Sequence, residues 1–182
     1  GNDTVNPATG QVNNIFALAI GNGAQADGKA KSASGMIAIG QEVKADNNNT
    51  IAIGVKTEAT GNNGTAVGGY AKAIGTSSAA FGTQAVANGL GATAFGPGAS
   101  AGDGGTAADG STAVGRKATV TAEGGTGLGW ATTVSAKDGT AIGHSATASI
   151  AGGVAIGSDS VTTAAAGVQG YNPASDRTDK YL

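Results

Sequence analysis

A glycine recurs along this chain at a nearly constant spacing, and this period restricts the possible folds more than any other feature. Successive glycines are spaced fourteen positions apart in seven cases and nineteen positions apart in two. Each closes a short phrase such as Thr140-Ala141-Ile142. A fixed period of this kind predicts a solenoid, in which one coil of chain stacks on the next. The ten glycines are Gly21, Gly40, Gly54, Gly68, Gly82, Gly96, Gly115, Gly129, Gly143 and Gly157.

Composition narrows the kind of solenoid. The 182-residue chain contains 34 glycines but only three Phe, three Tyr and one Trp. Collagen needs glycine at every third position, which this sequence lacks. Disorder would scatter the apolar residues, which here keep fixed phases of the repeat. We therefore predict an all-β solenoid.

Charge and cysteine content exclude several classes of protein. The net charge is −2 and there is no cysteine, so we predict neither a nucleic-acid partner, nor disulfides, nor a thiolate metal site. No apolar run approaches the ~20 residues of a membrane span, so no membrane insertion of this segment is expected. Because the chain starts in the polar turn residues Gly1-Asn2-Asp3, without a signal peptide, we expect an internal segment of a longer protein.

Each coil is predicted to hold two short strands joined by turns. With the coil glycine as position 0, position −2 is Ala in nine of ten coils, and positions +3 and +5 are small or β-branched around a mostly polar +4. Alternate residues of a strand face opposite sides. We interpret the bulky residues at position −1 as the core, facing the small +3 and +5 residues, with Ala and Gly toward a partner chain. This predicted repeat core is Ile20, Ile39, Ile53, Val67, Phe81, Phe95, Val114, Leu128, Ile142 and Ile156.

The predicted roll is too thin to be stable alone. One bulky residue per coil buries little apolar area, and at ~25 cal/mol per Å² this scarcely offsets the entropy of ordering the chain. We therefore expect a homo-oligomer of about ten coils per chain. The two longer coils carry five extra residues each, within residues 28–36 and 103–111, and such insertions are tolerated as loops.

The repeated phrase resembles the YadA-like head of trimeric autotransporter adhesins, whose motif runs Ser/Thr-Val/Ile/Thr-Ala-Ile/Val-Gly-x-x-Ser/Ala-x-Ala. It stands here as Gly64-Thr65-Ala66-Val67-Gly68-Gly69-Tyr70-Ala71-Lys72-Ala73, and again at 139–148. The resemblance implies a left-handed parallel β-roll assembled as a homotrimer. It also implies a location on a bacterial cell surface, anchored in the outer membrane through regions outside this segment.

The same resemblance suggests the domain organisation. The matching coils cover residues 16–165 as the head. Residues 1–15 and 166–182 are predicted to be N-terminal and C-terminal junctions to neighbouring modules. Each contains an Asn-Pro-Ala sequence, at Asn6-Pro7-Ala8 and Asn172-Pro173-Ala174.

Outward positions supply a candidate ligand-facing surface. The cationic side chains among them suit acidic matrix components, although Glu42, Glu58 and Glu123 interrupt the row of cations. An exposed Trp is a frequent anchor in binding sites. A lone histidine in a chain without cysteine supports neither a metal site nor a Ser-His-Asp arrangement, so we predict no cofactor and no enzymatic activity. The candidate residues are Lys44, Lys56, Lys72, Arg116, Lys117, Trp130 and His144.

Three functions are compatible with these sequence features. The first is an adhesin head that attaches to host cells or extracellular-matrix proteins, with possible self-association. The second is a structural spacer that projects another binding domain. The third is a monomeric β-solenoid such as an ice-binding protein, suggested by Thr at position −3. The third function is disfavoured because these Thr share a face with bulky Ile and Phe.

Overall fold

The chain forms a parallel β-solenoid in which each strand pairs with the equivalent strand of the next coil. The computed structural model describes residues 4–5, 12–13, 16–26, 35–102 and 108–162. Two parallel sheets run through the stack, one of ten strands and one of nine. Thr65 pairs with Ala79 in the first sheet, and Lys72 pairs with Val86 in the second. The predicted all-β parallel solenoid, with a coil of fourteen positions, is confirmed.

The strands are short and alternate between the two sheets. A separate antiparallel pair is formed by β1 (Thr4–Val5) and β2 (Val12–Asn13). The described residues include no helix long and apolar enough to cross a membrane. The first sheet consists of β3 (Ala17–Ile20), β5 (Met36–Ile39), β7 (Ile51–Ile53), β9 (Thr65–Val67), β11 (Ala79–Phe81), β13 (Thr93–Phe95), β15 (Thr112–Val114), β17 (Thr126–Leu128), β19 (Thr140–Ile142) and β21 (Val154–Ile156). The second sheet consists of β4 (Gln25–Ala26), β6 (Lys44–Ala45), β8 (Glu58–Ala59), β10 (Lys72–Ala73), β12 (Val86–Ala87), β14 (Ser100–Ala101), β16 (Thr119–Val120), β18 (Thr133–Val134) and β20 (Thr147–Ala148).

The two longer coils keep the stack in register. Ala17 pairs with Met36, and Thr93 pairs with Thr112, although the partners are nineteen positions apart in the sequence. The extra residues are therefore accommodated between strands. The insertions predicted within 28–36 and 103–111 fall largely outside the described residues, as do most of the junction 1–15 and the whole junction 166–182.

The interior of the roll is lined almost entirely by alanine. In a typical coil, Ala66 at position −2, Ala71 at +3 and Ala73 at +5 are fully buried, at 0% exposure. The bulkier buried exceptions at these positions are Val43, Thr57, Val120, Thr132 and Val134. Small side chains from both sheets face one another because each coil is only two short strands wide.

The prediction that position −1 forms the core is wrong for the single chain. Phe95 is 56% exposed and Ile156 is 66% exposed, whereas the alanine preceding each is buried. Neighbouring residues of a strand point to opposite faces, and the narrow interior accepts only the methyl-sized side. All ten residues therefore lie on the outer face of the first sheet: Ile20, Ile39, Ile53, Val67, Phe81, Phe95, Val114, Leu128, Ile142 and Ile156.

Close stacking of the backbone explains the recurring glycine. Gly68 has a φ of +129°, and a β-carbon added there would lie 2.6 Å from the carbonyl carbon and oxygen of Gly82 in the next coil. No side chain fits this contact or readily adopts this φ. At the same turn, position +2 is left-handed even without glycine, as at Lys117 (φ 56°) and Ala131 (φ 55°).

Candidate ligand-binding surface

The roll has two outer faces of opposite character. The outer face of the first sheet, formed by positions −3 and −1 and here called the apolar face, carries no charged residue. Phe81 and Phe95 pack there with ring centroids 5.8 Å apart. The outer positions of the second sheet are mostly polar. Position −1 is apolar in every coil, whereas position −3 is Thr in five of the ten. Monomeric proteins rarely expose a continuous apolar row such as that at position −1, so the apolar face is typical of an association surface.

Three of the predicted ligand-facing lysines are paired with carboxylates. In two cases the acid occupies the same coil position as the lysine but lies one coil earlier, so the parallel register brings the two charges together. Exposed pairs of this kind contribute little stability, but they neutralise the cation toward an approaching ligand. The Nζ–carboxylate distances are 3.8 Å for Lys44–Asp46, 3.6 Å for Lys56–Glu42 and 3.3 Å for Lys72–Glu58.

Lys137, which was not predicted as part of the surface, makes the same intercoil contact. Its Nζ donates a hydrogen bond of 3.1 Å to Oε2 of Glu123, one coil earlier. This hydrogen bond, together with the negative charges of Glu123 and Asp138, raises the pKa of Lys137. Intercoil pairing of Lys with Glu is therefore a repeated feature of the roll.

The structure brings Arg116, Trp130 and His144 together as a stack, here called the corner ladder. The three residues occupy position +1 in successive coils. The guanidinium carbon of Arg116 lies 5.4 Å from the centroid of the Trp130 ring, within the range of a cation–π contact. The Trp130 and His144 ring centroids are 4.6 Å apart, with their planes inclined at 52°. Trp130 remains 51% exposed.

Arg116 and its neighbour Lys117 differ from the other described cations. Within residues 16–26, 35–102 and 108–162, neither makes an ion pair, whereas Lys44, Lys56 and Lys72 all do. Of the seven predicted ligand-facing residues, the structure thus places Arg116, Lys117, Trp130 and His144 in one cluster. The three lysines of the N-terminal coils lie apart from it.

A row of threonines lies in the same three coils as the corner ladder, three positions further along each coil. Thr119, Thr133 and Thr147 pair in register on β16, β18 and β20, in the same three coils. We call these residues the hydroxyl row. Position +4 was predicted to be polar, but these threonines were not included among the ligand-facing residues. The signal was available in the repetition of Thr at +4 in consecutive coils.

The acidic residues and the histidine do not form a metal centre. In the part of the chain that the structure describes, no group of three or more His, Cys, Asp or Glu side chains is placed to hold a metal ion. His144 instead lies 3.5 Å, through Nδ1, from Oγ of Ser158 in the next coil. This surface can therefore form hydrogen bonds, bind anions through its cationic side chains and make contacts through its aromatic rings.

Comparison with known proteins agrees with this architecture. The model of the YadA head domain repeat (2 copies) matches residues 45–71, 73–99, 107–132 and 135–160, together more than half of the chain. Among solved structures, the collagen-binding domain of the Yersinia adhesin YadA is similar, with a TM-score of 0.51 and 26% sequence identity. The alignment covers 87% of this chain and 84% of that domain. No curated protein sequence matches the chain. The matched repeats cover most of the described solenoid, from residue 45 to residue 160, and the chain belongs to the YadA head domain family.

Proposed function

We propose that this chain is the head segment of a bacterial surface adhesin that assembles as a homotrimer and attaches to host extracellular matrix or host cells. Its family membership supports an adhesin-type head, and the apolar face is the single observation that carries the proposed assembly. The role is one of binding, without catalysis. The protein would be displayed at the outer membrane through regions outside this segment.

The energetics of the single roll favour association. Its interior consists mainly of alanine methyl groups, which contribute little burial energy. The larger apolar side chains lie outside, with Leu128 47% exposed and Val154 60% exposed. Packing the apolar faces of three chains around one axis would remove these side chains from water in every coil. It would leave the polar outer positions of the second sheet in solvent.

Light scattering with two matched variants tests the assembly. We expect a molar mass three times the 17.0 kDa of one chain. Phe95→Glu places a charge on the apolar face and should reduce the mass to that of a monomer. Val86→Glu places the same charge on the outer side of the second sheet and should leave the trimer intact. A wild-type mass equal to that of one chain, or equal effects of both variants, would contradict the proposed interface.

Attachment to matrix is tested with immobilised collagen and whole extracellular matrix. The similar Yersinia domain binds collagen, so collagen is the first ligand to measure. Because the contacts would be repeated along the roll and tripled by symmetry, avidity should dominate and no single outward substitution should abolish attachment. We expect Lys72→Ala to reduce retention by less than about threefold, whereas a monomeric Phe95→Glu variant should lose most of it.

The alternative function, a spacer that projects another domain, is supported by the ion pairs of the N-terminal coils. The carboxylates in these pairs offset the positive charge of three of the predicted lysines, which weakens their attraction for an anionic ligand. A trimeric segment that binds neither collagen, nor whole matrix, nor host cells would favour the spacer. Retention on any of these surfaces by the isolated trimer would favour the adhesin.

A further inference from the structure

We propose that the corner ladder, Lys117 and the hydroxyl row together form a binding surface for an anionic polysaccharide, one that carries sulfate or carboxylate groups. We call this surface the polar corner. The inference rests on the proposed function, because it specifies a ligand class for an adhesive head. It is carried by the contrast between this part of the roll and the N-terminal coils.

Uncompensated positive charge distinguishes the polar corner from those coils. Arg116 and Lys117 are adjacent on the outside of the roll, and neither is paired with a carboxylate within the described residues. A guanidinium recognises sulfate and carboxylate through paired hydrogen bonds, and such charge-assisted bonds are stronger than neutral ones. Lys56 and Lys72, in contrast, already contact Glu42 and Glu58.

Acidic side chains are absent from positions +1, +2 and +4 of the polar corner, while Glu123 and Asp138 lie further along the same coils and Asp159 lies at +2 of the next coil. Positions +1, +2, +4 and +6 of the coils that begin at Gly115, Gly129 and Gly143 contain no Asp or Glu. In the N-terminal coils, by contrast, Glu42 lies at position +2 and Glu58 at position +4. A polyanion would therefore meet no like charge at these positions of the polar corner.

The hydroxyl row and Trp130 match a sugar rather than an anion alone. Thr133 is exposed, and Thr119 and Thr147 are half-buried on either side of it, so the hydroxyl row offers donors and acceptors to sugar hydroxyls. Trp130 is half-exposed in the same coil as Thr133, and an amphipathic aromatic side chain suits a sugar ring with apolar and polar edges. These features favour a polysaccharide over an acidic peptide.

The geometry of the roll keeps the hydroxyl row of the polar corner accessible in a trimer. Thr119, Thr133 and Thr147 lie on the outer side of the second sheet, whereas the apolar face belongs to the first sheet. Association through the apolar face would thus display three copies of the hydroxyl row. A long polymer that contacts more than one copy gains avidity without any new contact.

Surface plasmon resonance on the wild-type chain tests the proposal. The immobilised probes are heparin, hyaluronan, neutral dextran and polyglutamate. We expect heparin or hyaluronan to bind, neutral dextran not to bind, and polyglutamate to bind more weakly. The double variant Arg116→Gln/Lys117→Gln should weaken polysaccharide binding by about tenfold or more. The control Lys56→Gln/Lys72→Gln removes the same number of cations and should change it by less than about twofold.

A second pair of variants distinguishes a loss of binding from a loss of folding. Thr133→Glu adds a carboxylate to an exposed position of the hydroxyl row, and it should weaken polysaccharide binding with an unchanged melting temperature. Val86→Glu adds the same charge to the second sheet, outside the polar corner, and should have little effect. Trp130→Ala should weaken binding to heparin or hyaluronan while leaving the weaker polyglutamate signal unchanged.

Several results would overturn the inference. These are equal losses in the two double variants, binding to polyglutamate as tight as to both polysaccharides, or no binding to either polysaccharide. If the trimer still attaches to collagen or whole matrix in the last case, the adhesin function stands and only the polysaccharide surface is rejected. If it attaches to nothing, the adhesin function fails as well.

Discussion

A β-carbon placed on Gly127 would lie 3.1 Å from Cγ2 of Val120 and 3.0 Å from Oγ1 of Thr132, so glycine at position −2 of one coil accommodates valine at position +5 of the coil before it and threonine at position +3 of its own coil. Gly125 shows the same relationship, because its β-carbon would lie 2.7 Å from Cγ1 of Val120. In the coil before the insertion, the equivalent positions are Ala87, Ala92 and Ala94. The filled volume of the interior is thus conserved, because the extra methyl groups of Val120 occupy the space that alanine methyl groups would take at Gly125 and Gly127.

This compensation predicts a double-mutant cycle. Gly127→Ala should destabilise the roll by about 1–3 kcal/mol through crowding, and Val120→Ala by a similar amount through lost packing. The combination restores the Ala87/Ala94 pair but keeps Thr132 where that pair faces Ala99, so its effect should fall short of the sum by about 0.5–1 kcal/mol. Denaturant unfolding measures all three variants. Strict additivity would show that the two side chains do not share one space.

The close approach of Gly68 to Gly82 predicts opposite outcomes for two adjacent glycines. Gly68→Ala forces a β-carbon against the carbonyl of the next coil and requires an unfavourable φ, so we expect a loss of at least ~3 kcal/mol or a failure to fold. Gly69→Ala meets no atom closer than 3.9 Å and should change stability by less than about 0.5 kcal/mol. Thermal melts of both variants give the comparison. Similar losses at the two positions would contradict the stacking argument.

A buried hydroxyl without a partner predicts a stabilising substitution. Ser78 is 1% exposed, and its Oγ has no hydrogen-bond partner among the described residues. Ala92 occupies the same coil position in the next coil, so alanine fits there. Removing the unsatisfied group in Ser78→Ala should stabilise the protein by about 1 kcal/mol. A lower midpoint of denaturation would indicate that the hydroxyl is satisfied in solution.

The left-handed backbone at position +2 predicts that an Ala→Gly substitution has opposite effects on stability at two sites. Ala131 has a φ of 55°, which costs an L-residue about 1–2 kcal/mol, and glycine relieves this strain at a smaller entropic cost. Ala131→Gly should therefore stabilise the roll by up to about 1 kcal/mol. Ala141→Gly removes a fully buried methyl group from a strand and should destabilise it by about 1 kcal/mol or more. Calorimetry of the pair measures both effects, and two destabilising results would contradict the strain at Ala131.

The period predicted the length of the coil and the pairing register between coils, because both depend only on each coil and its neighbours. A residue that returns once in every coil must face its copies when coils stack, and the structure accordingly places Lys72 against Glu58 and Trp130 against His144. The structure adds the consequence for the surface: the first contact neutralises a cation, and the second leaves an exposed aromatic ring.

The inward face of the first strand could not be predicted from alternation alone. Alternation separates Ala66 from Val67 but does not say which of them points inward. That choice depends on the distance between the two sheets, which is set by the width of the whole coil. Volume was the missing criterion, because an interior faced by Ala71 and Ala73 from the second sheet holds another methyl group but not a bulky side chain.

The stacked coils also determine how the head responds to tension. Each coil is bonded only to its two neighbours, as Ala80 is to Ala66 and Ala94. A force that pulls the ends of one chain apart along the stack therefore loads one coil boundary at a time. A detached coil of the regular length releases roughly 45–50 Å of extended chain. A single roll should yield as a series of steps, equal for the regular coils and longer for the two coils of nineteen positions, so its mechanical resistance would be that of one boundary and would not grow with the number of coils.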